Sequence, residues 1–197
     1  MSESPSPRGP LPGPDGKLRC PWAVSAPDYL GYHDEEWGRA VHGDREIFER
    51  LSLEAFQSGL SWLTILRKRE NFRKAFAGFE ITAVAGFGPA DEERLLADAG
   101  IVRNKAKISA VINNARAVLE LPVGLSELVW GYAEEPGSRP APHSVEELPG
   151  LTPASKALSK ELKKHGFVFT GPTTAYATMQ ACGIVNDHLA GCFRRDG

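Results

Sequence analysis

The chain has 197 residues, with 23 basic and 25 acidic side chains, a formal charge of −2 and three cysteines. That length holds one domain, or at most two small ones, and a 42% hydrophobic content is enough to bury a core. No apolar run approaches the ~18 residues of a membrane span, the N-terminus lacks the apolar segment of a secretory signal, and three cysteines cannot all pair. The expectation is therefore a cytoplasmic globular protein, and the near-zero charge speaks at first against nucleic acid as a partner.

Five of the 15 prolines fall within residues 1–14. A stretch so poor in apolar side chains cannot offset its ordering entropy, so residues 1–18 read as a disordered tail with no assigned role, and residues 19–197 as the folded domain. The segment CPWAVSAPDYLGYHDEEW (20–37) is rich in aromatics, with Trp22, Tyr29, Tyr32 and Trp37, and it also holds Cys20 and His33. Residues 45–58 place Ile47, Phe48, Leu51 and Ala55 on one helical stripe with Asp44 as N-cap. Glu54 sits in that apolar helix. An acid among apolar neighbours is either a partly exposed helix residue or a carboxylate aimed at a ligand donor or cation. Trp62 follows QSGLS, and aromatic faces there either pack a core or stack on a base.

Arg67, Lys68, Arg69, Arg73 and Lys74 form a basic cluster, and residues 101–119 hold four bases and no acid. Such clusters are solvated helix faces or phosphate contacts whatever the total charge is. Residues 89–99 open at Pro89 and stop at Gly100, the favoured asymmetry of helix ends. In 104–120, Ile108, Val111, Ile112, Ala115 and Leu119 keep helical spacing. Ser144 with Glu147 has the pattern of a capping box. A helix ending at Leu148, a Pro-Gly turn and a helix from Thr152–Pro153 to Gly166 resemble a helix-hairpin-helix, whose turn offers backbone N–H groups to a phosphate. Phe167–Thr170 is at best a short extended piece, and Cys182 in the apolar helix 176–182 reads as core. The balance shifts from a net −5 over 1–150 to +3 over 151–197.

His188 and Cys192, spaced i, i+4, fall on one face of a helix. Joined to Cys20 and His33 they would make a closed Cys2His2 shell suited to a structural zinc ion; the alternative keeps the cysteines as small buried apolar residues. The fold class expected throughout is a compact all-α domain.

The motifs RCPW, YLGYHDEEWG, LSLEAFQSGLSWLTILRKRENFRKAF, DAGIVRNKAKISAVINNARA, LSKELKKHGFVF and MQACGIVNDHLAGC together span about residues 19–193. In them the chain closely resembles the 3-methyladenine DNA glycosylase I family of bacteria, which belongs to the helix-hairpin-helix superfamily. The resemblance implies hydrolytic excision of 3-methyladenine from alkylated double-stranded DNA by a cytoplasmic monomer. It assigns Cys20, His33, His188 and Cys192 to one structural zinc ion that ties the termini together. It makes Glu54 the pocket carboxylate with catalytic weight, and Tyr29, Tyr32, Trp62 and Trp22 the base-binding aromatics. Gly59 and Leu60 match a loop approaching the gap left by the extruded nucleotide; Gly150, Thr152, Lys156 and Lys160 are the expected backbone contacts of the hairpin. Ala154 stands where bifunctional superfamily members carry a nucleophilic Lys, which implies no strand-cleaving lyase activity. Asn186 stands where the superfamily carries its catalytic Asp, so the group that activates water has no match. Two rivals are a glycosylase with a shifted alkylbase preference and a non-catalytic zinc-stabilised damage binder.

Overall fold

The computed structural model describes residues 9–135 and 137–196. Its helices, in chain order, are α1 (Pro27–Glu35), α2 (Asp44–Gln57), α3 (Trp62–Ala75), α4 (Ile81–Ala85), α5 (Pro89–Ala97), α6 (Lys105–Leu119), α7 (Leu125–Trp130), α8 (Pro153–Lys164) and α9 (Pro172–Ala181). The all-α expectation holds, with one exception at the start of the described chain. Leu11–Pro12 (β1) pairs antiparallel with Leu18–Arg19 (β2). Residues 1–8 of the expected tail lie outside the described residues, whereas residues 9–18 are a built hairpin. Its reason is Arg19, only 4% exposed, which takes Asp15 on one side and Asp34 of α1 on the other at 2.6 and 2.7 Å. Two carboxylates around one guanidinium supply the order that apolar burial would not.

Helix α2 is the centre of the molecule and packs against α3, α6, α7 and α9. Ile47, Phe48, Leu51 and Phe56 on it are buried against Phe72, Phe76 and Phe79. Its N-cap is Gly43, not Asp44. Asp44 serves another helix instead: its Oδ1 accepts from Ser126 N at 2.7 Å, in the first turn of α7. On α6 the predicted stripe is buried from Ile108 to Ala115, but Leu119, at 54% exposure, has left it. Asn104 caps α6 by accepting from Lys107 N at 3.1 Å.

Three further expectations change. The helix foreseen before Leu148 is a single 3-10 turn, Val145–Glu147, and Ser144 makes no capping bond; Glu147 accepts from His143 N instead. Phe167–Thr170 is no strand. Phe169 has φ +57°, and Val168 is clamped by Asn114, which donates to its carbonyl and accepts from its amide at 2.9 Å each. His188 and Cys192 do not lie on a helix, since residues 186–192 are loop and turn with Gly191 at φ +85°.

Candidate active site and metal centre

A cavity of about 320 Å³ opens between α1, the end of α2, the start of α3 and α9. Trp22, Tyr29, Tyr32, Trp37, Glu54, Gln57, Trp62, Leu148, Ala177 and Gln180 line it. Tyr29 and Tyr32 face it because they are one turn apart on α1. Trp62 faces it because it opens α3, whose start is fixed by the Ser61 side chain accepting from Thr64 N at 3.2 Å. Tyr32 and Trp62 lie tilted with ring centroids 5.4 Å apart, and Trp22 meets Tyr29 edge-on at 5.5 Å. The sequence-predicted Trp22, Tyr29, Tyr32, Glu54 and Trp62 thus converge on one space.

Glu54 is 7% exposed, and no hydrogen bond to its carboxyl group is found among the described residues. Burial alone raises its pKa to about 8, which favours the neutral acid at neutral pH. Buried groups left without partners inside a cleft are where a ligand is expected to supply them. The neighbouring Tyr32 phenol is also pushed well above its ordinary range, first by burial and then by the charge of Glu54.

Sequence reasoning gave no site role to five lining residues, Trp37, Gln57, Leu148, Ala177 and Gln180. Trp37 was an aromatic of the 20–37 segment without a site role; Gln57 and Gln180 gave no signal, because an amide on a helix reads as a solvated face. Gln180 is oriented from behind, its Nε2 donating to Asp187 at 2.8 Å. Asp187 is 2% exposed and also accepts from Tyr176 OH and, at 2.9 Å, from Arg139. Three donors on one buried carboxylate fix the amide's orientation, because the carboxylate can only accept.

Behind the pocket, Cys20, His33, His188 and Cys192 bring their ligating atoms within 4.8 Å of one another, and all four are buried. Cys192 Sγ lies 3.5 Å from His33 Nε2 and 3.6 Å from His188 Nδ1; Cys20 Sγ lies 3.8 Å from His188 Nδ1. The far side of each ring is held as well. His33 Nδ1 meets Asp34 at 2.8 Å and His188 Nε2 meets the Trp37 carbonyl at 3.2 Å. Gly38, at φ +80°, is required there, since a Cβ would stand 2.8 Å from His188 Nε2. The Cys192 thiol is held far below its ordinary range by the hydrogen bond from Cys20 and then by both histidines, while Cys20 is pushed up. This donor set could hold a metal ion, and with four protein ligands it leaves no position for a substrate. Cys182, the third cysteine, is core, and burial pushes its thiol up to about 12.

The expected DNA-facing residues divide. Gly59, Leu60, Gly150, Lys156 and Lys160 are exposed. Thr152 is 4% exposed and caps α8, its Oγ1 accepting from Ser155 N at 3.1 Å and its own N–H donating to Ser155 Oγ at 2.9 Å. The basic cluster 67–74 is largely internal wiring. Arg67 pairs with Asp28 at 2.8 Å, Arg69 with Glu36 at 2.6 Å and Arg73 with Glu49 at 2.7 Å, while Lys68 donates to the Ala99 and Gly100 carbonyls.

Comparison with known proteins agrees with this geometry. The protein-family profile described as methyladenine glycosylase matches residues 22–195. DNA-3-methyladenine glycosylase 1 of Escherichia coli K12 is 45% identical over 177 residues, 88% of this chain and 95% of its own length. The DNA-3-methyladenine glycosylase of Haemophilus influenzae is 41% identical over 180 residues, 88% of this chain and 96% of its own. A crystal structure of 3-methyladenine DNA glycosylase I superposes with a TM-score of 0.86 at 44% identity, over 90% of this chain and 99% of the other. A point variant of 3-methyladenine DNA glycosylase I in complex with 3-methyladenine superposes at 0.83 with 32% identity, over 90% and 97%.

Proposed function

The chain belongs to the methyladenine glycosylase family, and from that premise we propose that the aromatic cavity is where it excises 3-methyladenine from alkylated double-stranded DNA. The enzyme is a DNA-3-methyladenine glycosylase acting in base-excision repair. The observation that carries the assignment of the site is Glu54, a buried acid set among aromatic faces with no hydrogen-bond partner among the described residues.

The reaction breaks the N-glycosidic bond. Alkylation at N3 makes the base cationic while it is attached to the sugar, so the bond's electron pair returns to the base and neutralises it. Water adds its oxygen to C1′ and gives up a proton, leaving the free base and an abasic site. The nucleotide must leave the stack to reach a cavity of this depth. Trp22, Tyr29, Tyr32 and Trp62 stack on and around the ring, and their quadrupoles favour a cationic base over a neutral one. Glu54 accepts hydrogen bonds from the base and, once ionised, attracts its charge. Entry of a cation brings Glu54 the partner it lacks, lowers its pKa and expels its proton, so recognition of damage and ionisation of Glu54 are one event. Because the leaving group is already activated, the chain needs little further acid or base chemistry.

Gly59 and Leu60 approach the gap in the duplex, and Gly150, Lys156 and Lys160 contact the backbone; Thr152 shapes their turn through its cap. Ala154 leaves no amine at the lyase position, and Lys156 lies two residues further on, roughly 200° around the helix, so excision is monofunctional. The Cys2His2 cluster fits a single structural zinc ion. Zinc about 2.3 Å from sulfur and about 2.0 Å from nitrogen sets sulfur–nitrogen edges of about 3.5 Å; three of the four edges here measure 3.5, 3.6 and 3.8 Å, and all donor atoms lie within 4.8 Å of one another. Bound there, the ion would cross-link the two ends of the domain and supply no chemistry to the base. The working unit is a monomer.

The test is incubation with methylated duplex DNA and chromatography of the released bases. Release of 3-methyladenine by wild type, and its loss in Glu54→Ala, is the expected result; no release by wild type ends the assignment. Borohydride trapping of a covalent enzyme–DNA adduct would overturn the monofunctional reading.

A further inference from the structure

We propose that Lys107 is a positioning residue for excision: from α6 it clamps the turn between α2 and α3 and fixes where Leu60 stands relative to Glu54. This rests on the reading of Gly59 and Leu60 as the loop that enters the duplex. The Lys107 ammonium donates to the carbonyls of Phe56 at 2.8 Å and Ser58 at 2.5 Å, the two that flank the pocket residue Gln57. Lys107 is 8% exposed, and no carboxylate pairs with it among the described residues. Its position is set by its own backbone, which donates to the Asn104 cap of α6.

The turn it holds links both pocket helices, with Glu54 and Gln57 before it and Trp62 directly after. Within it Gly59 takes φ +79°, Leu60 N donates to Gln57 O at 2.7 Å and Leu60 is left 40% exposed. A cation on the last carbonyls of a helix is favoured by the helix dipole. A buried ammonium with two carbonyls and no counter-ion nevertheless adds little net stability, and burial pulls its pKa down. Its consequence is geometric: an apolar side chain stays presented to solvent on a turn already ordered, so the turn need not be ordered when DNA arrives.

The experiment compares wild type, Lys107→Met, Leu60→Ala and the double variant. On methylated duplex DNA, Lys107→Met should lower kcat/KM between about tenfold and a hundredfold, the scale of a misplaced contact remote from the chemistry. Affinity for free 3-methyladenine, read by quenching of pocket tryptophan fluorescence, should stay within about twofold because the pocket walls are untouched. Adding Leu60→Ala to Lys107→Met should cost little more, since both remove one device. Amide exchange at Gly59–Ser61 in the DNA-free protein should accelerate in Lys107→Met. Lys107→Gln, which keeps a donor, should recover part of the loss and guards against a misfolded methionine variant. Unchanged exchange in the turn overturns the clamp, as does a fall in free-base affinity parallel to activity. A silent Leu60→Ala alongside accelerated exchange in Lys107→Met overturns the loop reading, and with it any role of the clamp in excision.

Discussion

The Trp22 ring has two sets of neighbours: His33, edge-on at 5.1 Å, on the side of the Cys/His cluster, and Tyr29 and Tyr32, at 5.5 and 6.2 Å, which line the cleft. The first side is a closed cluster in which each histidine nitrogen has a partner in the chain: sulfur in front, Asp34 or the Trp37 carbonyl behind. The second side is a cleft whose central acid has none among the described residues. Two buried polar groups of similar exposure therefore stand in opposite states, one paired within the chain and one without a hydrogen-bond partner among the described residues. The lesson concerns cost. On the proposed reading the cluster stabilises the fold once it holds its ion and gives no chemistry to the base, whereas burial of Glu54 opposes stability until a ligand supplies what burial removed.

The comparison breaks most visibly if the closed side is opened. Cys192→Ala or His33→Ala should abolish stoichiometric metal, measured by elemental analysis and expected at about one ion per chain in wild type. Either change should also lower Tm sharply and remove base binding, because Trp22 and Trp37 share their faces with the cluster and the cleft. A variant that keeps full metal content removes that residue from the ligand set.

The next largest effect comes from the open side. Glu54→Gln should lower release of 3-methyladenine about a hundredfold or more while leaving metal content unchanged. In wild type, kcat/KM should rise between pH 6 and 8 as the group with a pKa of about 8 ionises, and Glu54→Gln should flatten that limb. Stability should run the other way. The folded chain holds the Glu54 proton up to about pH 8 whereas the unfolded chain loses it near 4.5, so stability falls as pH rises through that window. Glu54→Gln should thus raise Tm at pH 8 and lose this advantage toward pH 4.5. A Tm difference independent of pH would sink the claim that the acid is held neutral by burial.

A smaller effect is expected where the cleft is supported from behind. Asp187→Asn leaves the Arg139 guanidinium and the Gln180 amide with a weaker acceptor, and should reduce kcat/KM about threefold to tenfold with a modest fall in Tm. Full activity there would show that Gln180 only lines the wall. Smallest of all, Asp15→Asn loosens the hairpin around Arg19, and through it Asp34 and His33. Loaded enzyme should work normally while a chelator strips its metal about twice as fast.

How much of this was legible in sequence follows the same division. The cleft's aromatics and Glu54 stood out because they violate the ordinary pattern of a polar surface and an apolar core. The four Cys and His residues stood out by residue type, yet the helix drawn from the spacing of His188 and Cys192 is absent: a turn through Gly191 brings them together. Gln57 and Gln180 were invisible, since nothing in an amide's neighbours along the chain tells whether a cavity lies in front of it. The basic run at 67–74 misled for a related reason. Its acids, Asp28, Glu36 and Glu49, come from helix α1, from the residue that follows it and from α2, and only the tertiary fold shows that these arginines are already spoken for. Exposed bases without ion pairs among the described residues include Lys74 at the end of this run, Arg103 before α6, Lys105 at its start, and Lys156 and Lys160 on α8.

Cys20 and His188 are 168 positions apart, and β2 sits beside the C-terminal loop, with Phe193 N donating to the Leu18 carbonyl at 2.9 Å. Cys20 and His33 therefore meet their partners only once residues 188 and 192 have been made, so the cluster cannot close on a chain that stops short of Cys192.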